Sequence, residues 1–192
     1  MGALRPIFFW REKHMKFTVK RIAFAGVLAA LYAVITILEG WLAQNLAYGA
    51  IQFRFAEALS VLCCFTPAAI PGMVLGCAVS NFFNPFGFAA VDIVFGSLAT
   101  LLAGLITWKM ARHIEERHSL VWLVPLPTIL CNAVIVGAEI AIFFDKSATL
   151  HVWLANALSV GIGEAGVMYA LGIPLLLSLL KGNSLCRDLR AI

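Results

Sequence analysis

Five ionisable residues, Arg54, Glu57, Asp92, Glu139 and Glu164, stand inside stretches that are otherwise almost wholly apolar. A charge held at the centre of a membrane costs at least ~2.5 kcal/mol, so each must face a partner or a cavity instead of lipid. Four carboxylates against the single guanidinium of Arg54 make an acceptor-rich, negative environment. Such a pocket suits a cationic or donor-rich small molecule better than an anion. Arg54 and Glu57, three residues apart, can also pair with each other. One intramembrane carboxylate is sometimes only hydrogen-bond glue between helices; several at one depth point to a site.

Depth follows from the elements that carry these residues. Of 192 residues, 62% are hydrophobic and 12% charged, and the mean hydropathy is +0.94; a soluble domain is roughly a quarter charged. Apolar runs near 20 residues recur, the length that crosses a ~30 Å hydrocarbon core. The fold class expected is therefore all-α, an integral membrane protein. Basic residues cluster at 5–21, at Lys109, Arg112 and Arg117, and at Lys181, Arg187 and Arg190, and positive flanks prefer the cytoplasm. The chain must then cross an even number of times between clusters.

Residues 121–144 and 152–180 form one pair of spans, turning at Asp145-Lys146-Ser147. Residues 20–38 and 89–108 are two more. Between them Pro67 and Pro71 break an apolar stretch into two short spans, about 53–66 and 70–83. Six transmembrane helices result, with the N and C termini cytoplasmic. The organisation expected is a cytoplasmic N-terminal segment 1–19, a transmembrane domain 20–181 and a cytoplasmic tail 182–192. The first apolar run is long enough to be a retained helix and not a signal peptide. On this topology Glu57, Asp92 and Glu139 lie in the outer half, as do Asn81, Asn84 and Asn156, with Glu164 deeper. Asn132 and Glu139, seven apart, share a helix face, as do Trp153 and Glu164 at eleven. The polar-aromatic stretch 39–52 is either an outer linker or a lid.

Other chemistry is poorly supported. There is no G-x-x-x-x-G-K-[ST] loop, H-E-x-x-H motif or G-x-S-x-G elbow, so neither an enzyme nor a cofactor is implied. The cysteines lack metal-ligand spacing and read as small apolar residues. His113, Glu115, Glu116 and His118 read as a solvated cytoplasmic loop, not a metal site. The pI near 8.9 reflects the basic flanks and not nucleic-acid binding. Ala25, Ala29 and Ala33 form a small-residue strip that permits close helix packing, within this chain or with a partner.

The runs Gln52-Phe53-Arg54-Phe55-Ala56-Glu57-Ala58-Leu59 and Asp92-Ile93-Val94-Phe95-Gly96-Ser97-Leu98-Ala99-Thr100, with Pro67 to Gly76 and Asn81 to Gly87 between them, resemble the QueT family. The resemblance extends from about residue 19 to 180. It implies a substrate-binding S component of an energy-coupling factor transporter for queuosine precursors, placed in the bacterial cell membrane. The implied partners are a transmembrane coupling protein (EcfT), docked through Ala25, Ala29 and Ala33, and two cytoplasmic ATPases. The implied ligand is 7-aminomethyl-7-deazaguanine or a close relative. Its ring N–H and amine suit one carboxylate and its ammonium another, so Glu57, Asp92, Glu139 and Glu164 are the expected binding acids. Its carbonyl needs a donor such as Asn132, Asn156 or Gln52, and its ring can stack on Trp153, Trp41 or Tyr48. The alternative is a stand-alone secondary transporter or channel for a small cation, using Glu139 and Glu164.

Overall fold

The computed structural model describes residues 18–42, 53–84, 89–116, 118–146, 149–181, 188, 189 and 192. Most of the expected N-terminal segment 1–19 and tail 182–192, and stretch 43–52 of the expected linker or lid, lie outside the described residues. Among those described, every regular element is helical. In chain order these are α1 (Val19–Leu42), α2 (Phe55–Cys64), α3 (Ala69–Phe82), α4 (Ala89–Glu116), a short 3₁₀ helix (His118–Leu123), α5 (Leu126–Glu139), α6 (Leu150–Val167) and α7 (Ile173–Lys181). A π turn, Ile140–Phe144, prolongs α5, and a second, Met168–Gly172, joins α6 to α7.

Among the described residues, four stretches are long and apolar enough to cross a membrane: Val19–Leu42, Ala90–Ala111, Leu120–Phe144 and Leu150–Lys181. The 24 residues of α1 reach ~36 Å at ~1.5 Å per residue, more than a hydrocarbon core. Its exposed side chains include Val27, Leu31, Val34 and Leu38, which only lipid solvates well. The chain is an all-α, multi-pass membrane protein. Backbone at 109–116, expected as loop, continues α4 as helix to Glu116, because nothing in that basic stretch breaks the hydrogen-bond ladder.

The two short segments expected as spans form apolar helices of different winding. The first, α2, is wound as a 3₁₀ helix of ten residues. At ~2.0 Å per residue it covers ~20 Å, where an α-helix of that length would cover ~15 Å. Side chains three apart eclipse in this winding, and the small Ala56, Ala58, Ser60, Cys63 and Cys64 relieve the crowding. Arg54, Glu57, Ser60 and Cys63 therefore fall on one line, and all are buried. The chain reverses at 65–68 with Pro67 in the turn, while Pro71 occupies the first turn of α3, where a missing N–H forfeits no helical bond. Pro174 likewise has no N–H for the ladder, and the Met168–Gly172 π turn sits directly ahead of it.

Packing makes α2 the hub. It touches α1, α3, α4, α6, α7 and the Met168–Gly172 turn, while α1 packs on α3, α3 on α4, α4 on α5 and α5 on α6. Val61 and Cys64 of α2 belong to one apolar core with Met168, Ile173 and Leu176; Ala56 and Cys63 belong to another with Leu28, Tyr32 and Met73. Arg21 donates to the main-chain oxygen of Ile192, so the start of α1 and the chain's last residue meet at one end of the bundle.

Glycines set how closely the helices approach. A Cβ at Gly72 would lie 2.8 Å from the Ala25 carbonyl oxygen, and one at Gly76 would lie 2.7 Å from Tyr32 Cβ and 2.8 Å from the Ala29 oxygen. The Ala25, Ala29 and Ala33 strip thus runs beside the α1–α3 seam, with Ala33 buried. The same step of four on both helices makes α1 and α3 parallel. Gly96 meets Asn81 and Cys77 whereas Gly104 meets Ile70, so α3 and α4 are antiparallel; Gly137 against Ala157 and Gly161 against Ala133 make α5 and α6 antiparallel too. Gly26, by contrast, has nothing within 4 Å of an added Cβ. Gly76→Leu is therefore expected to cost about 1–3 kcal/mol by overpacking and to lower the thermal midpoint of the detergent-purified protein, whereas Gly26→Leu leaves that midpoint within error.

Candidate functional site

These directions bring the C-terminal ends of α1 and α3 together with the N-terminal ends of α2 and α4. At that end gather Glu39 from α1, Arg54 and Glu57 from the start of α2, Asn81 from α3 and Asp92 from the first turn of α4. Asn132 and Glu139 join them from α5 and Glu164 from deeper in α6. None of these eight is more than 7% exposed. Among the described residues Arg54 is the one buried lysine or arginine, and it interacts electrostatically with four of the five buried carboxyl groups, Glu39, Glu57, Glu139 and Glu164.

Part of this polarity is satisfied internally. The Tyr32 hydroxyl donates to Glu57 Oε1 at 2.5 Å. Arg54 Nη2 donates to Asn81 Oδ1 at 3.2 Å, and Asn81 Nδ2 donates to the Asp92 main-chain oxygen at 2.8 Å. Asn84 Nδ2 donates to Asp92 Oδ2. A chain of bonds thus ties the guanidinium through α3 to the start of α4. The Phe55 N–H donates to Glu39 Oε2 at 3.2 Å, so Glu39 caps the start of α2. Lower down, the Ser60 and Thr128 hydroxyls share a hydrogen bond of 2.9 Å.

The remainder is not satisfied. Glu39 Oε1, Glu57 Oε2, Glu139 Oε1, Glu164 Oε2 and Asn132 Nδ2 are all buried without a hydrogen-bond partner. Buried polar atoms normally find one, and each that does not costs about 1–3 kcal/mol. Their arrangement is not random. Asn132 approaches both Glu57 and Glu164, and Glu164 interacts electrostatically with Glu57, Arg54 and Glu39. Glu139 stands apart from that group beside Asp92, across the α4–α5 contact. The cluster therefore has two acidic poles around Arg54. Among the described residues no group of His, Cys, Asp or Glu could hold a metal ion.

Glu57, Asp92, Asn132, Glu139 and Glu164 are brought together here. Trp153 and Asn156 make other contacts at the start of α6: the Trp153 indole N–H donates to the Val134 carbonyl at 3.2 Å, and Asn156 Nδ2 donates to Asp145 Oδ2 at 2.6 Å. Both are half-buried. Sequence reasoning missed Tyr32 as a partner of Glu57 and placed Glu39 at the start of a linker or lid. The helix in fact runs on to Leu42. The spacing of Tyr32, Thr36 and Glu39, four and then three, marks one helix face and was the available signal.

The pattern of the QueT transporter family matches residues 22–181 of the chain. A queuosine precursor transporter QueT from Lactococcus lactis subsp. cremoris is 38% identical over 77 residues, which cover 40% of this chain and 43% of that relative. The match thus spans less than half the length of the relative. No solved structure matches the chain.

Tyr32→Phe removes only a hydroxyl and leaves Glu57 Oε1 without its donor. Destabilisation of about 1–3 kcal/mol is expected, read as a lower thermal midpoint in detergent; an unchanged midpoint would show that the hydroxyl does not satisfy Glu57.

Proposed function

The chain belongs to the QueT transporter family, and from that premise we propose that it is the substrate-capture subunit of an energy-coupling factor transporter for a queuosine precursor, 7-aminomethyl-7-deazaguanine or a close relative. The observation that carries this reading is a buried cluster with more acceptors than donors: the single amide of Asn132 reaches toward both Glu57 and Glu164 and cannot satisfy the two, whose Oε2 atoms keep no well-formed hydrogen bond. A deazaguanine edge offers a carbonyl oxygen next to a ring N–H and an exocyclic amine, which is the complementary series. Asn132 serves the carbonyl, and the carboxyl groups of Glu57 and Glu164 serve the donors. The second acidic pole, Asp92 with Glu139, receives the ammonium, which requires counter-charge once water is stripped away. Trp153 and Asn156 stand at the entrance and meet the ring as it arrives.

Direction and energy follow from the same reading. The site end of the bundle faces outward, α2 and α3 complete six crossings, and both chain ends lie in the cytoplasm beside their basic flanks. Uptake is driven by a transmembrane coupling protein and two cytoplasmic ATPases. The coupling protein docks beside the Ala25, Ala29 and Ala33 strip, on its exposed neighbours Gly26 and Ala30, while the buried Ala33 serves the α1–α3 seam. Beside them an apolar groove of about 490 Å³, lined by Ile22, Ala25, Gly26, Pro71, Leu105 and Trp108, offers a seat for a helix.

Titration of the purified protein tests the ligand. Glu164→Gln should weaken binding of the aminomethyl compound and its uncharged nitrile analogue alike, whereas Glu139→Gln should weaken only the former. A hydrogen bond to a charged group contributes about 1.5–3 kcal/mol, roughly tenfold to a hundredfold in affinity. Affinities within twofold of the unaltered protein for both variants would remove these acids from the site. For docking, Gly26→Leu should leave ligand affinity unchanged but abolish uptake in cells that contain the coupling protein and ATPases; normal uptake would exclude this face as the docking surface.

A further inference from the structure

Glu39 has two oxygens with different fates. Oε2 accepts the Phe55 N–H at 3.2 Å, while Oε1 is buried with no hydrogen-bond partner. The side chain as a whole is 6% exposed and interacts electrostatically with Arg54 and with Glu164. Capping a helix start needs one acceptor atom, and an amide or hydroxyl would provide it without burying a carboxyl group in the membrane. The cap therefore leaves the second oxygen unexplained.

The face of α1 that carries Glu39 is committed to the site. Tyr32, Thr36 and Glu39 lie above one another at helical spacing, all are buried, and Tyr32 already reaches Glu57. With α1 contributing, three carboxyl groups, from α1, α2 and α6, lie within electrostatic reach of Arg54, and the one amide among them, Asn132, approaches those of α2 and α6. A ligand with more N–H donors than acceptors is the complement of that arrangement.

Resting on the deazaguanine reading above, we infer that Glu39 is a substrate-binding residue: its free Oε1 accepts an N–H of the bound deazaguanine while Oε2 holds the start of α2. The ligand is thereby gripped from α1 as well as from α2, α5 and α6. Occupancy then fixes the distance between α1 and the start of α2 through one side chain.

Glu39→Gln separates this role from capping alone, because the amide oxygen still accepts the Phe55 N–H but the carboxylate is gone. The purified full chain in detergent is titrated with 7-aminomethyl-7-deazaguanine, and its thermal midpoint is recorded without ligand. Binding is expected to weaken tenfold or more in Glu39→Gln with the ligand-free midpoint unshifted, and Glu39→Asp is expected to retain more affinity than Glu39→Gln. A second measurement needs no variant: the ligand should protect Glu39 of the unaltered protein from modification by dicyclohexylcarbodiimide, read by mass spectrometry. Binding by Glu39→Gln within twofold of the unaltered protein, or undiminished labelling of Glu39 at saturating ligand, overturns the inference and leaves the functional reading standing. Failure of the unaltered protein to bind any deazaguanine overturns both.

Discussion

The burial of five carboxyl groups around one guanidinium, in a bundle whose outer surface is solvated by lipid, is the constraint on which the rest of the structure depends. Lipid cannot hydrate these groups, so every helix that carries one must turn it inward and meet its neighbours at the same depth. The parallel α1–α3 pair and the antiparallel α3–α4 and α5–α6 pairs achieve this by gathering helix ends, where polar side chains are easiest to reach. Apolar side chains fill the other end, in the core formed by Val61, Met168, Ile173 and Leu176.

The 3₁₀ winding of α2 is a response to that constraint. A ten-residue segment has too few residues to serve both as a hub at mid-bundle and as a carrier of charged groups near one end if it is wound as α-helix. The longer rise stretches it, and the threefold repeat keeps Arg54, Glu57 and Ser60 in register along one side. Each then finds a different helix: Asn81 of α3, Tyr32 of α1 and Thr128 of α5. The small side chains that allow this winding also let six neighbouring elements close around it.

Two kinds of polar atom emerge from this arrangement. Those joined in the Arg54–Asn81–Asp92 chain hold helices in place, and their bonds are complete without a ligand. Those of Glu39, Glu57, Glu139, Glu164 and Asn132 are buried and open. Each open atom costs the bundle about 1–3 kcal/mol for as long as it stays unpaired. That the chain carries acceptors there, with a donor amide among them, is what a site awaiting a donor-rich molecule requires.

The amino-acid sequence by itself determined the membrane setting, because hydropathy depends only on composition over windows the length of a span. It also determined the two short, proline-separated helices and the acids within apolar stretches, since Pro67, Glu57, Asp92, Glu139 and Glu164 are anomalous in their own local context. Helical phase put Asn132 and Glu139 on one face of a single helix but could not tell that they join different poles. The family, too, was legible in the local runs around Arg54 and Asp92. Only the tertiary structure decided which acids share a pole, that Tyr32 meets Glu57 across 25 residues of sequence, and that Asn81 bridges Arg54 to the start of α4. Glu39 entered the cluster and Trp153 and Asn156 turned to Val134 and Asp145 for the same reason: distances between helices depend on glycine contacts such as Gly76 against Tyr32 and Gly137 against Ala157. No local pattern reports those approaches, because they arise from two surfaces that become neighbours only when the chain has folded.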